Sequence, residues 1–284
     1  SRSANATARA RRVLARFLVI ALELQLAADI IATATYQASF EGFAKAGHDL
    51  AHAESLMQLS VDLAVLARET FWSDFHNHRG RIRPLVAASI GPYGACLHDG
   101  SEYHGNYGLS RQELVDFHRP RMQVLANTDA DLFAFETIPS LLEAESLLQL
   151  MQEFPEKSAC LSFSCRDGER VSHGERFADC TARVSESGQI IAVGINCTAP
   201  QHIPALLEST GNLEKPLMVY PNSGEEWSAE DQAWSGMVCS DMPVTEWYDL
   251  GARIVGGCCR TSADHIGTMR ESLRQHIVSL RQQR

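Results

Sequence analysis

The feature that most constrains this chain is a rhythm that starts near residue 28. Short apolar or β-branched runs, each ending in a polar or glycine-rich turn, alternate with stretches patterned as helices. The runs cover residues 29–36, 85–91, 131–137, 159–165, 190–197, 217–220 and 253–258. Most are continuously apolar rather than alternating, as strands buried on both faces of a parallel sheet must be. Helical patterns occupy residues 50–68, 111–126, 141–154 and 203–209. Strand then helix, repeated about seven times, predicts an α/β fold of the (β/α)8 TIM-barrel type, with a doubly wound open sheet as the alternative. A chain of 284 residues accommodates one such domain. We assign it residues 28–284, because no low-complexity segment or linker divides them.

Residues 1–27 read differently. They hold five arginines and one acid, many alanines, and no glycine or proline, which predicts an atypical basic helical segment. Such a composition fits a helix packed on the domain, and a targeting segment for an organelle is the minor alternative. The apolar stretch at 17–22 is broken by Glu23 and Gln25. It falls short of the roughly 20 residues needed to cross a bilayer, so no membrane span is expected. With 25 basic and 35 acidic residues the formal charge is −10, which opposes the phosphate neutralisation that nucleic-acid binding requires. Eight cysteines are too dilute for a disulfide scaffold and point to a reducing, cytoplasmic setting.

In barrels of this type the chemistry gathers at the carboxyl ends of the strands. The residues ending the runs are Tyr36, Gly91 and Tyr93, Glu136, Cys165, Asn196 with Cys197, Asn222, and Cys258 with Cys259. Cys197, Cys258 and Cys259 would therefore converge on one rim. Three thiolates with one open position form a plausible catalytic zinc site. Spacing alone favours reading these cysteines as small buried hydrophobes, since none makes a CxxC knuckle. Gly256 and Gly257 let the backbone bend just ahead of the pair. His48 with His52, and His76 with His78, have ligand-like spacing but lie in polar stretches and read as surface. Cys96, Cys160, Cys180 and Cys239 read as free thiols or core filler.

The motifs Gly194-Ile-Asn-Cys197 and Gly256-Gly-Cys-Cys259-Arg260 resemble the paired zinc motifs of the homocysteine S-methyltransferase family. So do Thr35-Tyr-Gln-Ala-Ser39, the Ser89–Gly94 to Asp99–Tyr103 loop, Glu136-Thr-Ile-Pro139 and Tyr220-Pro-Asn-Ser-Gly-Glu225. They occur in the same order from about residue 28 onward, and the likeness is greatest to the branch that uses S-methylmethionine. The resemblance implies a barrel in which Cys197, Cys258 and Cys259 hold Zn2+ and homocysteine supplies the fourth ligand. Its sulfur would take a methyl group from a sulfonium donor, S-methylmethionine or S-adenosylmethionine, to give methionine. Glu136 would then meet the amino group of homocysteine. Tyr36, Tyr93 and Tyr103 would offer aromatic faces to the diffuse positive charge of the donor. Asn222 would orient a substrate carboxylate or close a turn.

One departure stands out. The family's first strand ends in an Asp-Gly motif that helps seat homocysteine, whereas the first glycine here is Gly42. The expectation is a barrel with a missing or aberrant first strand, whose metal site outlasts its turnover and whose open edges favour association. Its alternatives are a degenerate barrel that binds zinc or thiol ligands without turnover, and a redox switch at Cys258 and Cys259.

Overall fold

A computed structural model describes residues 30–228, 233–236, 238–239 and 242–282. The basic segment 1–27, and any strand preceding residue 30, lie outside the described residues. The strands are β1 (Ile30–Ala32), β2 (Leu85–Ile90), β3 (Leu132–Ile138), β4 (Ala159–Phe163), β5 (Ile190–Asn196), β6 (Leu217–Tyr220), β7 (Glu226–Ser228), β8 (Ala233–Ser235) and β9 (Ala252–Val255). The helices are α1 (Phe40–Lys45), α2 (Leu50–Trp72), α3 (Arg111–Ala126), α4 (Leu141–Met151), α5 (Phe177–Ser185), α6 (Ile203–Ser209), α7 (Val244–Asp249) and α8 (Ala263–Gln282).

Seven strands pair in parallel in the order β1-β2-β3-β4-β5-β6-β9. The antiparallel hairpin β7–β8 is inserted between β6 and β9. Each strand alternates its side chains between two faces. One face packs on the helices with large residues such as Phe133, Phe135, Phe163, Ile195 and Val219. The other carries a small cluster of Ala87, Leu132, Ala134, Cys160, Ala192 and Met218. Ile30 of the first strand and Ile254 of the last both pack on that cluster, so the sheet curls around it as a TIM-type barrel does. Cys160 is thus interior filler, as expected.

Local signals agree with this layout. Asp49 caps α2 by accepting from His52 N at 2.8 Å, and Ser110 with Glu113 forms a full capping box on α3. The run at 29–36 yields only three residues of strand. The main chain adds one further ladder bond, from Thr33 N to Ala87 O at 2.9 Å, and hydroxyls then take over: Thr33 Oγ1 accepts from Ser89 N at 3.0 Å, and Thr35 Oγ1 donates to Ser89 O at 2.7 Å. Tyr36 therefore sits in a turn above the strand rather than at its end.

Gly194 shows how closely the strands approach. A Cβ there would stand 1.8 Å from the carbonyl oxygen of Met218 on β6. Backbone cannot yield cheaply, so Gly194→Ala should lower stability by about 3 kcal/mol or more. Urea unfolding measures this, and a loss below about 1 kcal/mol would contradict the packing.

Candidate active site

At the carboxyl end of the barrel the inward positions turn polar. One alternation step above the small apolar layer stand Ser89 on β2, Glu136 on β3, Ser162 on β4 and Tyr220 on β6, and on β5 Asn196 stands a further step up, past Gly194. Their polar groups form one connected chain. Ser89 Oγ donates to Glu136 Oε2 at 2.5 Å, and Tyr220 OH lies 3.4 Å from Glu136 Oε1. The same phenol is 2.5 Å from Ser162 Oγ, which donates to Asn196 Oδ1 at 2.7 Å.

Beside this ring the three cysteines meet. Cys197 Sγ lies 2.9 Å from Cys258 Sγ and 3.5 Å from Cys259 Sγ, while Cys258 and Cys259 are 3.9 Å apart. Cys197 follows β5 with a left-handed φ of 47°, which swings its sulfur toward the segment after β9. Cys258 and Cys259 are held against the loop after β6: Cys258 N donates to Pro221 O at 2.8 Å, and Ser223 N donates to Cys259 O at 3.0 Å. Gly257 is required at this bend, because a Cβ would stand 2.4 Å from Thr261 Oγ1. Arg260 then locks the loop by pairing with Glu225 at 3.0 Å.

The electrostatics follow from crowding and burial. Hydrogen bonds from Cys197 and Cys258 hold the Cys259 thiol well below its ordinary value, while the crowding of sulfurs and burial push their own thiols up. Burial raises Glu136 above the usual carboxylate range, and its described partners are hydroxyls, not cations. Three thiol sulfurs within 3.9 Å of one another fit a metal. Tetrahedral zinc with sulfur at about 2.3 Å asks for sulfur separations near 3.8 Å; the Cys258–Cys259 and Cys197–Cys259 distances are near that value, and the Cys197–Cys258 pair, at 2.9 Å, would open by about 0.9 Å to hold the ion.

The other expected residues divide. Tyr36 and Tyr103 face the sulfur cluster, whose negative charge adds to burial in raising both phenols. The Tyr36 ring lies flat on Gly91, where a Cβ would stand 2.5 Å from Cε2. Tyr93 instead packs on Phe117 and Tyr107, with ring centroids 4.9 and 5.2 Å away. Asn222 Oδ1 accepts from Gly224 N at 3.0 Å, which is turn chemistry. His48 stacks on His52, His76 bonds Asp74, and His78 stacks on Trp72. Among the described residues the cysteine trio is the one group of three or more His, Cys, Asp or Glu placed to share an ion. Cys165 is buried away from it, with its thiol raised by burial.

Ser89, Ser162, Asn196 and Tyr220 were not singled out as ligands or binders from sequence. Their signal is a single polar side chain at or near the carboxyl end of an otherwise apolar strand. A second buried group, on α3 and α4, supports the rim from outside. Arg121 donates to Gly91 O and to His118 Nδ1, and also reaches Tyr36 O at 3.4 Å. His118 Nε2 then donates to Glu143 Oε1 at 2.9 Å. Burial, then the charge of Arg121, pulls His118 down to about 4. Its stabilising contribution is complete above the unfolded value of about 6.5 and is lost as pH falls toward 4, on the order of 3 kcal/mol in all. Urea unfolding between pH 7 and 4 should show this loss, and a His118→Gln variant should show a flatter curve.

A family model described as homocysteine S-methyltransferase matches residues 24–273. The chain belongs to the homocysteine S-methyltransferase family. This methyltransferase is 50% identical over 243 residues to homocysteine S-methyltransferase YbgG of Bacillus subtilis (strain 168), covering 84% of this chain and 77% of that protein. It is 44% identical over 263 residues to homocysteine S-methyltransferase 1 of Arabidopsis thaliana, covering 89% and 81%. The crystal structure of the metallated form of homocysteine methyltransferase MmuM from Escherichia coli superimposes with a TM-score of 0.77 at 39% identity, covering 89% of this chain and 83% of that one. Homocysteine and a methyl donor are the substrates that family membership implies.

Proposed function

We propose that this methyltransferase uses zinc held by Cys197, Cys258 and Cys259 to accept a methyl group onto homocysteine from a sulfonium donor, S-methylmethionine in preference to S-adenosylmethionine. The observation that carries this reading is the convergence of three sulfurs within 3.9 Å, beside a buried carboxylate that has no cationic partner among the described residues. Held by the three cysteines, zinc would supply the positive charge that lets a joining thiol lose its proton at neutral pH.

The chain's own groups supply the rest. Glu136 accepts the ammonium of homocysteine, and Ser89 holds the carboxylate in place for it. Tyr36 and Tyr103 present aromatic faces to the donor cation, which a single salt bridge would serve poorly. Methyl passes as the S–C bond of the sulfonium breaks and a new S–C bond forms on homocysteine; the donor leaves as a neutral thioether. Asn222 contributes to the turn beside the site and orients the loop that carries Ser223. Eight dilute cysteines, none in a disulfide, support a reducing compartment, the cytoplasm.

Zinc content of the purified protein, measured alongside methionine formation from homocysteine with each donor, tests the reading. About one zinc per chain and faster turnover with S-methylmethionine are expected. Full zinc without turnover would instead leave a barrel that binds thiols without catalysis, and no zinc would remove the metal assignment.

A further inference from the structure

Thr137 adopts a φ of 60°, in the left-handed region that a β-branched residue almost never occupies. It lies where the register of β3 against β4 shifts between Phe135 and Ile138, a bulge that re-aims the preceding side chain, Glu136. Such a conformation persists only where its surroundings over-determine it. Here one side chain supplies two hydrogen bonds, beside a third that joins Thr137 to the Tyr36 phenol. Asn196, 1% exposed, accepts from Thr137 N at 2.7 Å through Oδ1 and donates to Thr137 Oγ1 at 2.8 Å through Nδ2. Its Oδ1 also accepts from Ser162 Oγ, and its Nδ2 lies 4.0 Å from Cys258 Sγ. Asn196 also directly precedes Cys197, which is itself left-handed.

We propose that Asn196 is a positioning residue that clamps the Thr137 bulge and thereby fixes where the Glu136 carboxylate stands relative to the three sulfurs. The inference rests on the functional reading above, in which Glu136 holds homocysteine. A purely structural asparagine would contribute to stability alone. A positioning asparagine makes homocysteine binding depend on the strain at Thr137, and that dependence can be removed, because glycine adopts a φ of 60° at no steric cost.

The test is a double-mutant cycle on the zinc-loaded full chain, with homocysteine affinity read by calorimetry and zinc content by elemental analysis. Asn196→Ala should weaken homocysteine binding about tenfold, as loss of a buried hydrogen-bonding clamp allows, with zinc content unchanged. In a Thr137→Gly background the same change should cost less than about threefold, since the bulge no longer needs holding. Should Asn196→Ala fail to fold, Thr137→Val keeps the branched shape but removes the Oγ1 acceptor, and about fivefold weaker binding is expected. Equal losses in both backgrounds, or unchanged affinity in Asn196→Ala or Thr137→Val, overturn the proposal. Failure of the unmodified, zinc-loaded protein to bind homocysteine would overturn the functional reading, and this inference with it.

Discussion

Cys258→Ala should strip the metal from the protein and reduce methionine formation by more than about a hundredfold. Losing partners that merely orient a ligand costs 10- to 100-fold, so losing a ligand should cost more. Cys197→Ala should do the same, because the two sulfurs converge from the ends of β5 and β9, on opposite sides of β6. Cys96→Ala is the control: its sulfur contacts Gln37 O at 3.6 Å and takes no part in the trio. Elemental analysis of the three variants separates the outcomes. Full zinc in Cys197→Ala and Cys258→Ala would show that the sulfurs are close for another reason.

The second large effect is expected at Glu136. Glu136→Gln keeps the size of the side chain and a carbonyl for Ser89 to donate to, but removes the negative charge. A charge-assisted hydrogen bond to an ammonium is worth about 1.5–3 kcal/mol, so KM for homocysteine should rise roughly 10- to 150-fold. Zinc content should not change. Steady-state kinetics in homocysteine at saturating donor give the answer; an unchanged KM, or loss of zinc with the carboxylate, would remove Glu136 from the amino-group role.

Much of the barrel could be read from sequence because parallel strands buried on two faces leave continuous apolar runs. Residues 217–220 became β6 and residues 111–126 became α3 without adjustment. Helix α5 escaped notice although its buried residues Phe177, Cys180, Thr181 and Val184 follow a 3.6-residue period. It is only nine residues long, and Arg and Asp interrupt the pattern. The hairpin β7–β8 has strands of three residues, too short for any periodicity to appear. Convergence of Cys197 with Cys258 depended on strand order, which periodicity supplies once the barrel is assumed. The choice between Tyr93 and Tyr103 did not follow from sequence. Both lie in one loop, and two 3₁₀ turns, Tyr93–Cys96 and Ser101–Tyr103, decide which ring comes near the sulfurs.

The position of the cysteines also governs how the molecule comes apart. Cys197 and Cys258 are 61 residues apart in sequence, and everything between them, from the end of β5 to the end of β9, forms one closed excursion of the chain. Joining its ends through a shared ion removes the freedom of that whole excursion in partly opened states. Occupancy of the sulfur site therefore acts as a latch on the last third of the barrel. With the latch closed, α6, β6, the hairpin and α7 can open only together; with it released, each can fray by itself, and amide hydrogens there would exchange one segment at a time.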